Sequence, residues 1–226
     1  IRAVSGKSTL QFVASTPPDP VSGAQAVYDS VSRGVFLVTG SNQVSYLITA
    51  QQLSNLYDDA IISICMAYDD RGNLYWFHNR TDSFYMRTSN GVLQIALASN
   101  AIYAATSVSN VSVTALHYAP DNTFYFMDYV SGAIVHYDPH APDPASTVHV
   151  LITRDELTNG VGGSGSYNIY ALNWYGTGMG LTYNNEYDDY GGGVYRIVPE
   201  PSALAMLLAL CALARLTRSD RSVRLC

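Results

Sequence analysis

The groups in this 226-residue chain with chemistry to offer are five histidines and a scatter of carboxylates and carboxamides at the ends of apolar runs. His78, Asp128 and Asn185 each close such a run and open a polar loop, while His117 and Asn173 lie inside neighbouring runs. Imidazole, carboxylate and carboxamide groups are the usual donors of a polar binding site or a hydrolytic centre. Metal-assisted hydrolysis, however, needs several convergent anionic or imidazole ligands, and this set changes type from run to run and supplies one carboxylate. The five residues are therefore expected to contact a ligand, with no catalytic residue and no resident metal assigned.

Other motifs carry less. Ser5-Gly6-Lys7-Ser8-Thr9 has the ending of a phosphate-binding loop, but the first glycine of that motif would fall at Ile1 and the following residues are strand-like. Gly160 to Gly165 has no strand directly before it and no helix after it, and reads as a flexible connector. His136-Tyr137-Asp138-Pro139-His140 brings two imidazoles and a carboxylate close in sequence, yet the Asp-Pro step and Pro142-Asp143-Pro144 make it a surface bend. Asn184 to Asp189 is rich in oxygen donors, so calcium is the one ion the chain is expected to accommodate, although the spacing of a calcium loop is incomplete. Cys65, Cys211 and Cys226 form no metal or redox pattern, and Cys65, in an apolar run, reads as a small buried hydrophobe.

The elements that must position these residues are strands. Hydrophobic residues make up 48% of the chain and charged ones 13%, which excludes disorder, and 18 Tyr beside 17 Gly favour strands and turns over helices. Three stretches repeat one order of parts: Ser63 to Tyr68, a turn at Asp69 to Asn73, then Leu74 to His78; Val113 to Tyr118, a turn at Ala119 to Asn122, then Thr123 to Asp128; and Ile169 to Trp174, a turn at Tyr175 to Gly178, then Met179 to Tyr183. Each reads as an antiparallel hairpin. A third strand follows each hairpin (Phe84 to Thr88, Ala133 to Tyr137, Val194 to Val198), and a fourth closes two of the units (Leu93 to Ala98, Val148 to Ile152).

Landmarks keep the register. Tyr68, Tyr118 and Trp174 recur at separations of 50 and 56 residues, and Thr49, Ser99 and Thr153 at 50 and 54. Thr49 with Gln52, and Thr153 with Glu156, also have the spacing of a capping box, which predicts a short helix after those strands. A weaker first unit spans Ala26 to Ile48, with strands at Val35 to Val38 and Val44 to Ile48.

Four strands per unit predict an all-β, β-propeller-like domain over residues 1–198, with units near 20–50, 60–99, 110–153 and 166–198. This makes about four blades, or a fragment of a larger ring. Leu10 to Ser15 resembles Leu93 to Ala98 and is expected to supply the missing fourth strand of the last unit; the alternative is that Ile1 to Thr16 is the tail of a lost blade of a larger ring. Leu74 to His78, and Phe124 to Asp128 with the following Tyr129-Val130-Ser131-Gly132, resemble the second and third strands of NHL and SMP-30-type propellers. That resemblance implies a fold used by binding scaffolds and hydrolases alike. In such a ring His78, Asp128 and Asn185 occupy equivalent loops, and His117 and Asn173 lie near the inner strands lining the central channel. Tyr129, Tyr187 and Tyr190 fall in predicted loops, where flat rings with polar tips suit sugars or protein partners.

The formal charge of −6 hides an asymmetry: Arg215, Arg218, Arg221 and Arg224 crowd the end of the chain, opposed there by Asp220 alone. An acidic body does not attract nucleic acid. Before the arginines stands Pro199-Glu200-Pro201 and then an uncharged Ala/Leu stretch at 202–214, shorter than the roughly 20 residues of a spanning helix. A Pro-Glu-Pro triplet, an apolar helix and terminal arginines together resemble the PEP-CTERM sorting tails of bacterial proteins, over residues 199–226. The resemblance implies that Pro199, Glu200 and Pro201 form the sorting motif, that Arg215 and Arg218 mark the membrane stop, and that the partner is an exosortase-type protease at the membrane. Export also calls for a signal peptide, and the residues from Ile1 onward contain none, so one is expected upstream. The sequence thus predicts an exported, non-catalytic propeller at the cell surface or in the extracellular matrix, binding a polysaccharide or a surface protein. A secreted propeller hydrolase and an unprocessed tail-anchored membrane protein are the alternatives.

Overall fold

The computed structural model describes residues 1–40, 43–57, 65–161, 167–175, 178–185 and 194–197. After a short helical turn, α1 (Arg2–Ser5), the first sheet is built from β1 (Phe12–Ser15), β2 (Gln25–Asp29), β3 (Gly34–Val38) and β4 (Val44–Ile48). Helix α2 (Ala50–Tyr57) leads to the second sheet, formed by β5 (Met66–Tyr68), β6 (Leu74–His78), β7 (Ser83–Arg87) and β8 (Leu93–Leu97). Helix α3 (Ser99–Thr106) precedes the third sheet: β9 (Val113–Tyr118), β10 (Phe124–Asp128), β11 (Ala133–Tyr137) and β12 (His149–Ile152). Helix α4 (Arg154–Val161) leads to a three-stranded sheet of β13 (Tyr167–Tyr175), β14 (Gly178–Asn185) and β15 (Val194–Ile197). Strands within every sheet lie in sequential order and pair antiparallel, the blade organisation that the strand repeats predict.

Residue type explains the layering. The second strands β6 (Leu-Tyr-Trp-Phe-His) and β10 (Phe-Tyr-Phe-Met-Asp) are buried at every position, because each sheet is covered on both faces by its neighbours. Alternation then decides which neighbour a side chain meets. Leu74 and Trp76 face the first sheet and pack with Tyr28, Val35, Ile48 and Leu53. Tyr75 and Phe77 face the third, where they join Phe124, Phe126 and Tyr137. Tyr125 and Met127 point the other way, toward Ala115, Ile134 and Leu157. The outer strands β4 and β8 carry their exposed residues in the middle, Tyr46 and Ile95 among them. Each third strand breaks register against the fourth at its second residue, between Val35 and Phe36, Phe84 and Tyr85, and Ile134 and Val135, so the same bulge recurs three times.

The capping boxes form as the spacing predicts. Thr49 N–H donates to Gln52 Oε1 (2.9 Å) and Gln52 N–H to Thr49 Oγ1 (3.2 Å), while Thr153 and Glu156 exchange the equivalent pair at 2.8 and 3.3 Å. The start of the chain corrects the sequence reading. Phe12–Ser15 supplies no strand to the last unit and is no remnant of a lost blade; it is the innermost strand of the first sheet, with Ala14 opposite Tyr28 and Ser15 opposite Val27. The first sheet therefore opens at Phe12, ahead of the unit expected near 20–50. The misplacement has a physical cause: inner and outer strands share an alternating apolar pattern, and only the turn contacts described below distinguish them. Ser5 ends α1, Gly6 follows it in the left-handed region, and no helix starts at Lys7 to Thr9 to receive a phosphate. Among the described residues, no helix is long and apolar enough to cross a membrane. The sorting tail, with Pro199, Glu200, Pro201, Arg215 and Arg218, lies outside the described residues.

Candidate functional site

Two ends of the sheets present turns, and the chemistry-bearing residues divide between them. At one end the second strand turns into the third. Here Asp29, His78 and Asp128 occupy equivalent final positions of β2, β6 and β10, with Asn185 closing β14. Asp128 is fully buried: Oδ1 accepts the N–H of Ser112 (3.0 Å) and of Val130 (3.1 Å), and Oδ2 that of Ser131 (3.0 Å). Asp29 repeats the arrangement, with Gln11 N–H donating at 2.6 Å and Ser32 N–H at 2.8 Å. Burial acts to raise the Asp29 carboxyl, but the donors of Ser32 and Gln11 outweigh it and hold the group below the usual carboxylate range. In the second sheet the carboxylate is replaced by His78, which is also buried, lies 2.9 Å from Thr81 Oγ1 through Nδ1 and stacks on Tyr57 at 3.9 Å. The next turn residue but three has positive φ in each case, at Arg33, Asp82 and Gly132. The Asp29 and Asp128 carboxylates hold their turns and tie them to the residue before the inner strand, while His78 reaches Thr81 within its own turn.

At the opposite end the first strand turns into the second. His117 pairs with Tyr125 whereas Asp128 pairs with Val113, so four residues, or about 13 Å, separate them along the strand. Asn173, opposite Gly180, and Asn185, opposite Tyr167, are likewise at opposite ends of their pair. The five predicted ligand-binding residues are thus not one site. The turns at this end are related: the carbonyls of Asp69 and Ala119 accept from the N–H of Gly72 and Asn122 three residues on, and that of Asp19 from Gly23 four residues on, all three closing residues having positive φ between 66° and 74°. The landmark aromatics Tyr68 and Tyr118 end β5 and β9 here, with Trp174 at the matching place in β13.

Between these turns lies a cleft of about 250 Å³, lined by Tyr68, Leu116, His117 and Tyr118 and walled by the exposed Pro17, Pro18 and Pro20 of the β1–β2 connection. Burial, reinforced by the negative charge of Asp19 and opposed by Arg87, pushes the Tyr68 phenol up to about 12. Burial raises Tyr118 too, and its hydroxyl donates to Asp70 Oδ1 at 2.8 Å. Both phenols are therefore neutral donors at physiological pH. Burial lowers His117, against the pull of Asp121, so its imidazole is neutral as well. The cleft is thus lined by aromatic, aliphatic and proline side chains with neutral phenol and imidazole groups, and none of its lining residues carries a charge. Beside it, His140 Nε2 reaches from the loop after β11 to within 3.2 Å of Asp70 Oδ1 and 3.7 Å of Asp69 Oδ2. His136, its sequence neighbour, turns away instead and packs its ring on His149 at 4.6 Å.

A second cavity, of about 260 Å³, opens at the other end between Met127, Tyr129, Arg154, Leu157 and Thr158. Tyr129 is exposed there, as its loop position predicts, but Arg154 spends its guanidinium on Val130 O (2.8 Å), packing over Gly132 so closely that a β-carbon would collide with it. Tyr187, Tyr190 and the calcium-loop candidates beyond Asn185 lie outside the described residues. Cys65 is buried, its thiol pushed up to about 12 by desolvation.

No protein-family model matches the chain, and no curated protein does. Solved structures do. A catalytically inactive virginiamycin B lyase from Staphylococcus aureus, crystallised with quinupristin, superposes with a TM-score of 0.53 at 8% identity over 86% of this chain and 57% of that one. A streptogramin B lyase gives 0.51 at 8% identity, over 87% of this chain and 61% of its own. These neighbours are NHL/SMP-30-like β-propeller proteins, and at such identities the likeness shows the fold alone. The chain spans about three-fifths of the length of the propellers it matches. The fold is accordingly that of β-propeller blades, as the strand repeats predict.

Proposed function

We propose that this chain is an exported, surface-directed binding protein whose propeller grips one residue of a polymer, with extracellular polysaccharide the favoured ligand, in the cleft beside Tyr68 and Tyr118. The cleft carries this reading: stacked C–H faces of a sugar fit tyrosine rings and proline edges, and the phenol and imidazole tips suit its hydroxyls. At about 250 Å³ the cleft falls below the roughly 300–1,000 Å³ that enclose a drug-sized substrate, which favours a segment of a long chain lying across it over a small molecule engulfed by it. Sorting rests on the sequence of the tail, Pro199-Glu200-Pro201 followed by the apolar stretch and arginines, with an exosortase-type protease as the partner that reads it. The lyase activity named for two fold neighbours has no support at 8% identity. Incubation with a panel of soluble polysaccharides tests the reading: retarded migration in a polysaccharide-containing native gel, with no release of reducing ends, is expected. Steady depolymerisation would make the protein an enzyme and overturn it.

A further inference from the structure

We infer that Asp69, Asp70 and His140 form a site for a divalent cation of the zinc class at the junction of the second and third sheets. The inference does not rest on the proposed ligand of the cleft, although Tyr118, which lines the cleft, adjoins the site. Its donors come from the β5–β6 turn and from the loop after β11, and His140, Asp69 and Asp70 each bring one ligand atom to within 4.8 Å of the other two. Ligands held at about 2.0–2.2 Å by a tetrahedral zinc ion stand about 3.3–3.6 Å apart. The separations from His140 Nε2, 3.2 and 3.7 Å, bracket that range.

The set is also built as a metal site is built. Asp69 is fully buried and held from behind: Oδ1 accepts Arg71 N–H (3.0 Å) and Asn73 N–H (2.8 Å), and Asn73 Nδ2 donates to Oδ2 (2.7 Å). The Tyr118 hydroxyl, 3.2 Å from His140 Nε2, donates to Asp70 Oδ1 at 2.8 Å and so orients that carboxylate from outside the ligand set, leaving a water to complete the shell. One imidazole with two carboxylates matches zinc and its neighbours in the transition series, whereas calcium prefers six to eight oxygens. A cation here clamps two sheets whose contributing residues lie 70 positions apart, and it fixes Tyr118 at the edge of the cleft.

The test is titration of chelator-stripped protein with Zn²⁺ by calorimetry, alongside the visible spectrum of the Co²⁺-loaded protein. The inference expects one ion per chain, a thermal midpoint raised by Zn²⁺, and affinity weakened about tenfold or more in both His140→Ala and Asp70→Asn. Asp70 is half exposed, so its variant reads the site even if His140→Ala misfolds. His149→Ala, an exposed imidazole elsewhere, should bind as wild type does. Absence of saturable binding, or equal affinity in wild type and in folded Asp70→Asn, overturns the inference.

Discussion

Asp128 accepts the backbone N–H of Ser112 at 3.0 Å and so fastens the last residue of β10 to the residue before β9, as Asp29 does for Gln11 at the equivalent place in the first sheet. A carboxylate used in this way is a structural tie. Replacing Asp128 with Ala leaves three backbone donors without their acceptor, which costs about 1–3 kcal/mol. The thermal midpoint of Asp128→Ala should fall by several degrees, with ligand retention unchanged in the protein that remains folded. An unaltered midpoint would contradict the assignment.

Trp76 is the largest side chain wholly enclosed between the first and second sheets. Its truncation to Ala should destabilise the protein by about 3–5 kcal/mol, as the cavity left between two covered sheets cannot collapse. Chemical denaturation measures this directly. A loss under about 1 kcal/mol would mean that the sheets do not pack as described.

Acid should weaken the fold in two stages. Desolvation lowers His117 and His136 below the ordinary value of 6.5, so the unfolded chain binds their protons first and stability declines as pH drops through about 6.5. Asp29 and Asp70 are held below 3.8, Asp70 chiefly by the Tyr118 hydroxyl; their contribution is full above that value and is lost at more acid pH as they protonate in the folded state. Urea midpoints across this range should therefore slope down from neutral pH, and His117→Gln with His136→Gln should flatten the upper stage while leaving the lower one in place.

The sorting proposal concerns the tail alone. Protein recovered from outside native cells should end near Pro199 to Pro201 when its C-terminal peptides are weighed by mass spectrometry. Peptides that reach Arg218 and remain in the membrane fraction would make the tail an anchor instead.

How much of this was legible in the sequence follows from the range of the interactions. Hairpins such as Leu74–His78 with its partner, and the capping boxes at Thr49 and Thr153, are local, so residue type and spacing reveal them. The inner strand at Phe12 was misplaced because alternation marks a strand without marking its neighbours. Asp128 looked like a ligand-binding group because a carboxylate at a strand end is ambiguous by itself. The signal that resolves it is the repeat Asp29-x-x-Ser32, Asp128-x-x-Ser131 and His78-x-x-Thr81, each leading to a residue of positive φ. The meeting of His140 with Asp69 and Asp70 had no sequence signal, since it depends on how two sheets stack. His117 lies in β9, but its neighbours in the cleft, Pro17 and Pro18, come from a connection whose role appears only once β1 is in place.

The most direct test of the central claim compares the two ends of the molecule. Tyr68→Ala removes a ring from the cleft and Tyr129→Ala removes one from the opposite cavity. Loss of one stacking ring amounts to about 0.5–1.5 kcal/mol, or roughly two- to twelvefold in affinity. Affinity electrophoresis against the retained polysaccharide should show Tyr68→Ala weakened by that factor and Tyr129→Ala unchanged. Weakening confined to Tyr129→Ala, or no change in either, would contradict the account.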